Sequence, residues 1–309
     1  MAKLFRRKEV ETASMDAAEN AIANKEVEGL SQRQIVFKRF IHHRAAMIAL
    51  FSLFFITLIV YTSLDFKFGP WKIHGWWKYK VTDIPELRYK ECPGQVIGCP
   101  TLKLFPPSLG EHPFGQDDIG RDYLALVMRG AQRSLMVAFV IGVLGGVIGT
   151  IVGAISGFYR GMVDSVLMRF VDFVITVPAI IIGSVIGYRY GNLGAGFLAI
   201  YLGLFSWTGL SRLVRGELLK LREMEFVDAA RVAGASNRRI IFKHILPNAV
   251  GIIIVSVTLL MSSAILLETA LSYIGFGVVA PDVSLGLLIS TYQDSFTSRP
   301  FLFWWPGFF

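Results

Sequence analysis

The segment Glu225–Asn248, EFVDAARVAGASNRRIIFKHILPN, is a polar, basic island between two long apolar runs. Phe226, Ala229, Ala230 and Ala233 recur at i, i+3, i+4 and i+7, the spacing of one helix face. Glu225 and Asp228 fall in the first turn of that helix, where carboxylates suit the helix dipole. Gly234 follows where a helix usually stops in a left-handed residue. Ser236 can cap a second short helix from Asn237 to Lys243, with Arg238, Arg239 and Lys243 on it. Pro247 closes that helix and can sit in the first turn of the next apolar run. The residues therefore predict two short helices joined by a sharp glycine bend, outside a bilayer. They leave two readings open. The segment can be a plain connection, or its small alanine face can dock closely into a groove on another protein.

The apolar runs on either side decide the environment. The chain has 309 residues, of which 53% are hydrophobic and 17% charged, against about 45–50% and about 25% in soluble domains. Ala45–Leu64 is an uncharged run of 20 residues, long enough to cross about 30 Å of hydrocarbon. Nine Lys and Arg residues precede it, which predicts a cytoplasmic N-terminus. Further spans are expected at Ser134–Phe158, Asp164–Tyr188, Gly191–Ser211 and Ala249–Leu267. Four spans before the central island make it cytoplasmic. The eight positive residues of the surrounding loop 212–247, Arg212, Arg215, Lys220, Arg222, Arg231, Arg238, Arg239 and Lys243, agree. The expected divisions are a cytoplasmic tail and interfacial helix (1–44), the first span (45–64), an extracytoplasmic segment (65–133) and a core (134–309) carrying the loop 212–247. Residues 65–133 also carry many Lys and Arg, but loops beyond about 60 residues cross largely regardless of charge.

Within these divisions several local features stand out. The formal net charge of +8 lacks an interleaved aromatic pattern, which argues against nucleic acid as a partner. Cys92 and Cys99 are the only cysteines, and in an oxidising compartment they can close a small loop. Asp117 is a candidate cap for a helix with Ile119, Tyr123 and Val127 on its apolar face. Gly145, Gly149, Gly153 and Gly157 repeat every fourth residue, with Gly142 and Gly146 alongside, a stripe that lets another helix approach closely. Arg169 and Asp172 are placed to pair at i, i+3. Pro178 is expected to kink its span and to shape a pore lining. Glu268, at the end of the fifth span, is a candidate pathway or gate residue, the alternative being an interfacial cap. No glycine-rich phosphate loop, zinc spacing or nucleophile elbow occurs in the sequence, so no catalytic group and no cofactor are expected on this chain.

Three motifs then carry a resemblance. Asp228-Ala229-Ala230, Gly234 and His244-Ile245-Leu246-Pro247, at their spacing here, resemble the conserved cytoplasmic loop of ABC importer permeases, in its oligopeptide, dipeptide and nickel branch. Gly115, Asp117, Gly120, Arg121 and Asp122 resemble the sequence preceding the second span in that branch. Leu267-Glu268-Thr269-Ala270-Leu271-Ser272-Tyr273-Ile274-Gly275-Phe276-Gly277 resembles a third. Two departures are visible: Asp228 stands where the family has Glu, and Leu285 where it has Trp. The resemblance implies an all-α polytopic membrane protein with the type I permease fold. That fold has about six spans, and Phe301–Phe309 reads as the start of a sixth, which is expected to be cut off here. It implies a bacterial inner-membrane location, a second homologous permease subunit, two ATPase subunits carrying ATP and magnesium, an extracytoplasmic binding protein, and membrane lipid around the spans. Asp228, Ala229, Ala230, Gly234, His244, Leu246 and Pro247 would contact the ATPase. Peptides are the expected cargo and nickel the alternative. A non-transporting membrane scaffold is the reading from another class.

Overall fold

The computed structural model describes residue 38 and residues 40–68, 71–87, 97–102 and 109–309. The expected tail, most of the interfacial helix and Cys92 lie outside these. Among the described residues, four helices are long and apolar enough to cross a membrane: Arg44–Ser63, Tyr123–Tyr159, Ala195–Leu221 and Asn237–Tyr273. A fifth crossing is possible if Gly161–Thr176 and Ala179–Leu193, bent by 66° at their junction, form one span. The polypeptide divides into two compact units, Met1–Ile59 and Val60–Phe309. Among the described residues of 65–133 is a two-stranded antiparallel ribbon, β1 (Phe66–Phe68) and β2 (Trp71–Ile73).

Helix α1 (Arg44–Ser63) has no polar face, and Ile48, Phe51 and Phe54 are all well exposed, as lipid contact requires. Helix α2 (Tyr123–Tyr159) has 37 residues, so it is about 55 Å long. It begins eleven residues before the expected span, and its N-cap is Asp122 rather than the expected Asp117. The Asp122 carboxylate accepts the Ala125 N–H at 2.8 Å. Asp117 instead organises the preceding turn, accepting the N–H groups of Ile119 and Arg121.

The glycine stripe of α2 serves two neighbours. A Cβ on Gly149 or Gly157 would lie 2.8 Å from the carbonyl oxygens of Trp207 and Arg215, and one on Gly153 would strike that of Ser211. These carbonyls lead into or belong to α6 (Thr208–Leu221), which follows α5 (Ala195–Phe205). Gly142, Gly145 and Gly146 lie instead against Met261, Leu260 and Val257 of α8 (Leu246–Tyr273). Backbone approaches backbone closely on the α6 face, while on the α8 face the glycines make room for side chains.

Between α2 and α5 run α3 (Gly161–Thr176) and α4 (Ala179–Tyr190). The expected proline kink is a full break. Val177 is extended, as a residue before proline prefers, and Pro178 starts α4, its carbonyl accepting from Ile181 and Ile182. The expected Arg169–Asp172 pair does not form; Asp172 pairs with Arg212 of α6, and the Arg169 side chain is exposed. After α8 come α9 (Leu285–Tyr292) and α10 (Phe301–Phe308), the latter burying Leu302 and Pro306.

Candidate functional site

Helix α7 (Glu225–Val232) and the bend after it are built as the local chemistry directs. Ala233 ends the helix, and Gly234 takes φ +77°. The Gly234 N–H donates to Arg231 O at 2.9 Å and the Ala235 N–H to Ala230 O at 3.0 Å. This paired closure needs a left-handed residue at the glycine. Ser236 then caps the next turn, its Oγ accepting from the Arg239 N–H.

The second element is not a separate short helix. Asn237–Arg239 runs into a π-helical turn, Ile240–Ile245, and straight on into α8. Proline in a helix removes an N–H and crowds the carbonyl one turn back. The wide turn just before Pro247, with the Leu246 N–H bonded to Ile241 O, supplies the room. Pro247 therefore sits inside a continuous 37-residue helix, Asn237–Tyr273, and does not close one.

Burial divides the expected docking residues. Val227 and Ala230 face inward, with Ala230 only 8% exposed, in a core with Leu218, Leu221, Ile240, Ile241 and Ile245. Phe226, Asp228, Ala229, Ala233 and Gly234 face outward, so the four-residue face read from the spacing is split. The inward stripe is set by Val227 and Ala230 at i, i+3. His244 and Leu246 are half-buried and Pro247 is exposed, and Asn248 Nδ2 donates to His244 O at 2.7 Å. Asp228 is paired with Arg231 at 2.8 Å on the exposed side. The sequence reading missed Val232, an apolar side chain 91% exposed beside the glycine bend. Its signal was the inward Val227–Ala230 stripe, which leaves Val232 on the far side.

The mount beneath this protrusion consists of ion pairs that the sequence did not reveal. Asp164 of α3 accepts both Nε and Nη2 of Arg215 at 2.6 Å, and Ser156 Oγ of α2 donates to the same carboxylate. Arg160 pairs with Glu223 at 2.6 Å. The Arg222 guanidinium donates to Phe158 O and lies 5.6 Å over the Phe158 ring. Helices α2, α3 and α6 are thus tied together directly under α7.

At the other end of α2, Asp122 is fully buried and accepts from Trp77 Nε1 and His112 Nδ1, each at 2.8 Å. Tyr79 stacks on His112 at 4.7 Å. Arg121 Nε donates to Asp117 at 2.6 Å, so all three charged residues of this motif brace the fold. Glu268 is fully buried and accepts from Ser272 Oγ at 2.7 Å and Ser134 Oγ at 3.3 Å. It therefore joins α8 to α2 through serine hydroxyls. Pro178 is exposed at the α3–α4 break. Cys99 is disulfide-bonded, while Cys92 lies outside the described residues.

Residues 149–309, which hold the protrusion, its mount and Glu268, match the family model described as binding-protein-dependent transport system inner membrane component. The chain belongs to this family. The permease is 36% identical over 295 residues to the oligopeptide transport system permease protein OppC of Salmonella typhimurium, covering 95% of this chain and 89% of that one. It is 35% identical to the protein of the same name from Mycobacterium tuberculosis H37Rv, over 90% of this chain and 87% of that one. It is 34% identical to a putative peptide permease of Brucella ovis, over 87% and 81% of the two chains. Among solved structures, the inward-facing MetNI methionine ABC transporter superposes with a TM-score of 0.49 at 20% identity, covering 57% of this permease and 84% of that chain.

Proposed function

We propose that this permease forms half of the translocation pathway of an ATP-driven importer for oligopeptides or dipeptides, and that α7 with the Gly234 bend couples it to an ATPase. One observation carries the coupling role. The permease holds an apolar side chain, Val232, outside its own core, beside exposed Phe226, Ala229 and Gly234, on a base clamped by Asp164–Arg215. An isolated loop has no reason to present such a surface on so firm a mount. Relatives named as peptide permeases support the cargo.

In this reading the protrusion faces the cytoplasm and the N-terminus lies on the same side. A second homologous permease completes the pathway. Two ATPase subunits bind ATP and magnesium, and an extracytoplasmic binding protein delivers the cargo. Asp228, Ala229, Val232 and Gly234 touch the ATPase; Ala230 holds the element on its mount, and His244, Leu246 and Pro247 form its root. Movement of the ATPase then reaches α2, α3 and α6 through the clamp rather than being lost in a flexible loop.

The test is ATP-dependent uptake of a labelled peptide in proteoliposomes holding the assembled transporter. Val232→Asp should insert normally and abolish uptake, and a crosslinker at position 232 should capture an ATPase subunit. Normal uptake by that variant, or capture of nothing, overturns the coupling role.

A further inference from the structure

A cavity of about 350 Å³ lies at the end of α2 remote from α7, a volume in the range of small-ligand pockets. Three cationic side chains line it, Lys78, Lys80 and Arg129, against one carboxylate, Asp65, together with Trp77 and Tyr79. The charges are unevenly satisfied. Lys78 lies 3.6 Å from Glu111 and 4.6 Å from the centre of the Tyr79 ring. Asp65 accepts the Gly75 N–H at 3.0 Å and lies 3.6 Å from His74. Among the described residues Arg129 has no carboxylate within ion-pair distance. It donates to the neutral Gln132 Oε1 at 3.1 Å, and the nearby Asp282 is engaged by Arg133 at 2.9 Å. Among the described residues no ion pair includes Arg129 or Lys80. A half-buried guanidinium left without an anion is costly, and its planar fork fits phosphate oxygens two at a time.

The depth of the cavity identifies the anion's source. Gln132 Nε2 donates to Val60 O at 2.9 Å, and Tyr61 Oη donates to Gln132 O at 3.4 Å. The last turn of α1 therefore lies level with Gln132, and Arg129 is one helical turn further out. That is the level of Leu64 and Asp65, where the apolar run of α1 gives way to charge. Aromatic residues collect at this boundary, as Trp76 and Trp77 do here, and lipid phosphates lie there too. Buried Leu64 lines the same cavity, which suits a head group whose tails lie on apolar surface and gives a free anion nothing.

We propose that this cavity is a binding site for the phosphate of an anionic phospholipid, of the phosphatidylglycerol class, in the leaflet at that end of the bundle. Arg129 is its principal ligand and Lys80 the second. The site is independent of cargo and of coupling. The experiment uses the assembled transporter, exchanged into detergent with defined lipid, and counts retained lipid by native mass spectrometry. Wild type should retain phosphatidylglycerol in preference to phosphatidylcholine. Arg129→Gln should lower that retention roughly tenfold and Lys80→Gln by a smaller factor. If Arg129→Gln fails to fold, the exposed Lys80→Gln carries the comparison. Equal retention of both lipids by wild type, or undiminished retention by the variants, overturns the proposal. So does inorganic phosphate that displaces the lipid and remains bound in its place, which would mark a free-anion site.

Discussion

Asp122 carries three donors on one carboxylate: an indole, an imidazole and a backbone N–H. Replacing it with alanine strands all three in a buried place, so Asp122→Ala should destabilise the protein by about 3 kcal/mol. A lowered unfolding midpoint in detergent checks this, and Asp122→Asn should recover part of the loss. Ala230 and Ala229 are neighbours with opposite surroundings, one inward and one outward. Ala230→Arg forces a charge into the core of Val227 and Ile240 and should reduce the amount of folded protein. Ala229→Arg should leave the amount unchanged and lower uptake. Equal protein levels for the two variants would contradict the burial pattern. Gly234, at φ +77°, should lose about 1 kcal/mol on replacement by alanine, read as weaker hydrogen-exchange protection of α7.

The helices show where sequence reasoning held and where it stopped. The spans were legible because their lengths and lack of charge leave few alternatives. The glycine bend was legible because one residue type fits it. Pairings across helices were not. Arg169 and Asp172 have the right spacing, yet Asp172 meets Arg212 on α6, because helix packing rather than local spacing decides which groups meet. The Asp164–Arg215 clamp joins residues 51 apart in the chain and leaves no periodic trace. Likewise Val227 was read past because Phe226, Ala229 and Ala233 matched a helical face equally well. The packed interface gives its own prediction. Gly153→Leu places a side chain where α6 presents the Ser211 carbonyl, and should cost about 1–3 kcal/mol by pushing α2 and α6 apart. Reduced yield of assembled transporter would show it, and Gly251→Leu, where a Cβ meets nothing within 4 Å, is the control.

At the scale of the whole permease, α2 packs against α3, α5, α6, α8, α9 and α10. Its first turns carry the Asp122 network and Arg129, and its last turns carry Phe158 and the clamp under α7. Its one helical run has no proline, and glycines hold it tightly on two sides. It runs about 55 Å as a single helix. The Asp122 network and the clamp are therefore joined by one unbroken run of helical hydrogen bonds. If α7 receives an ATPase as proposed, its displacement has a direct path along α2 to the far end of the helix.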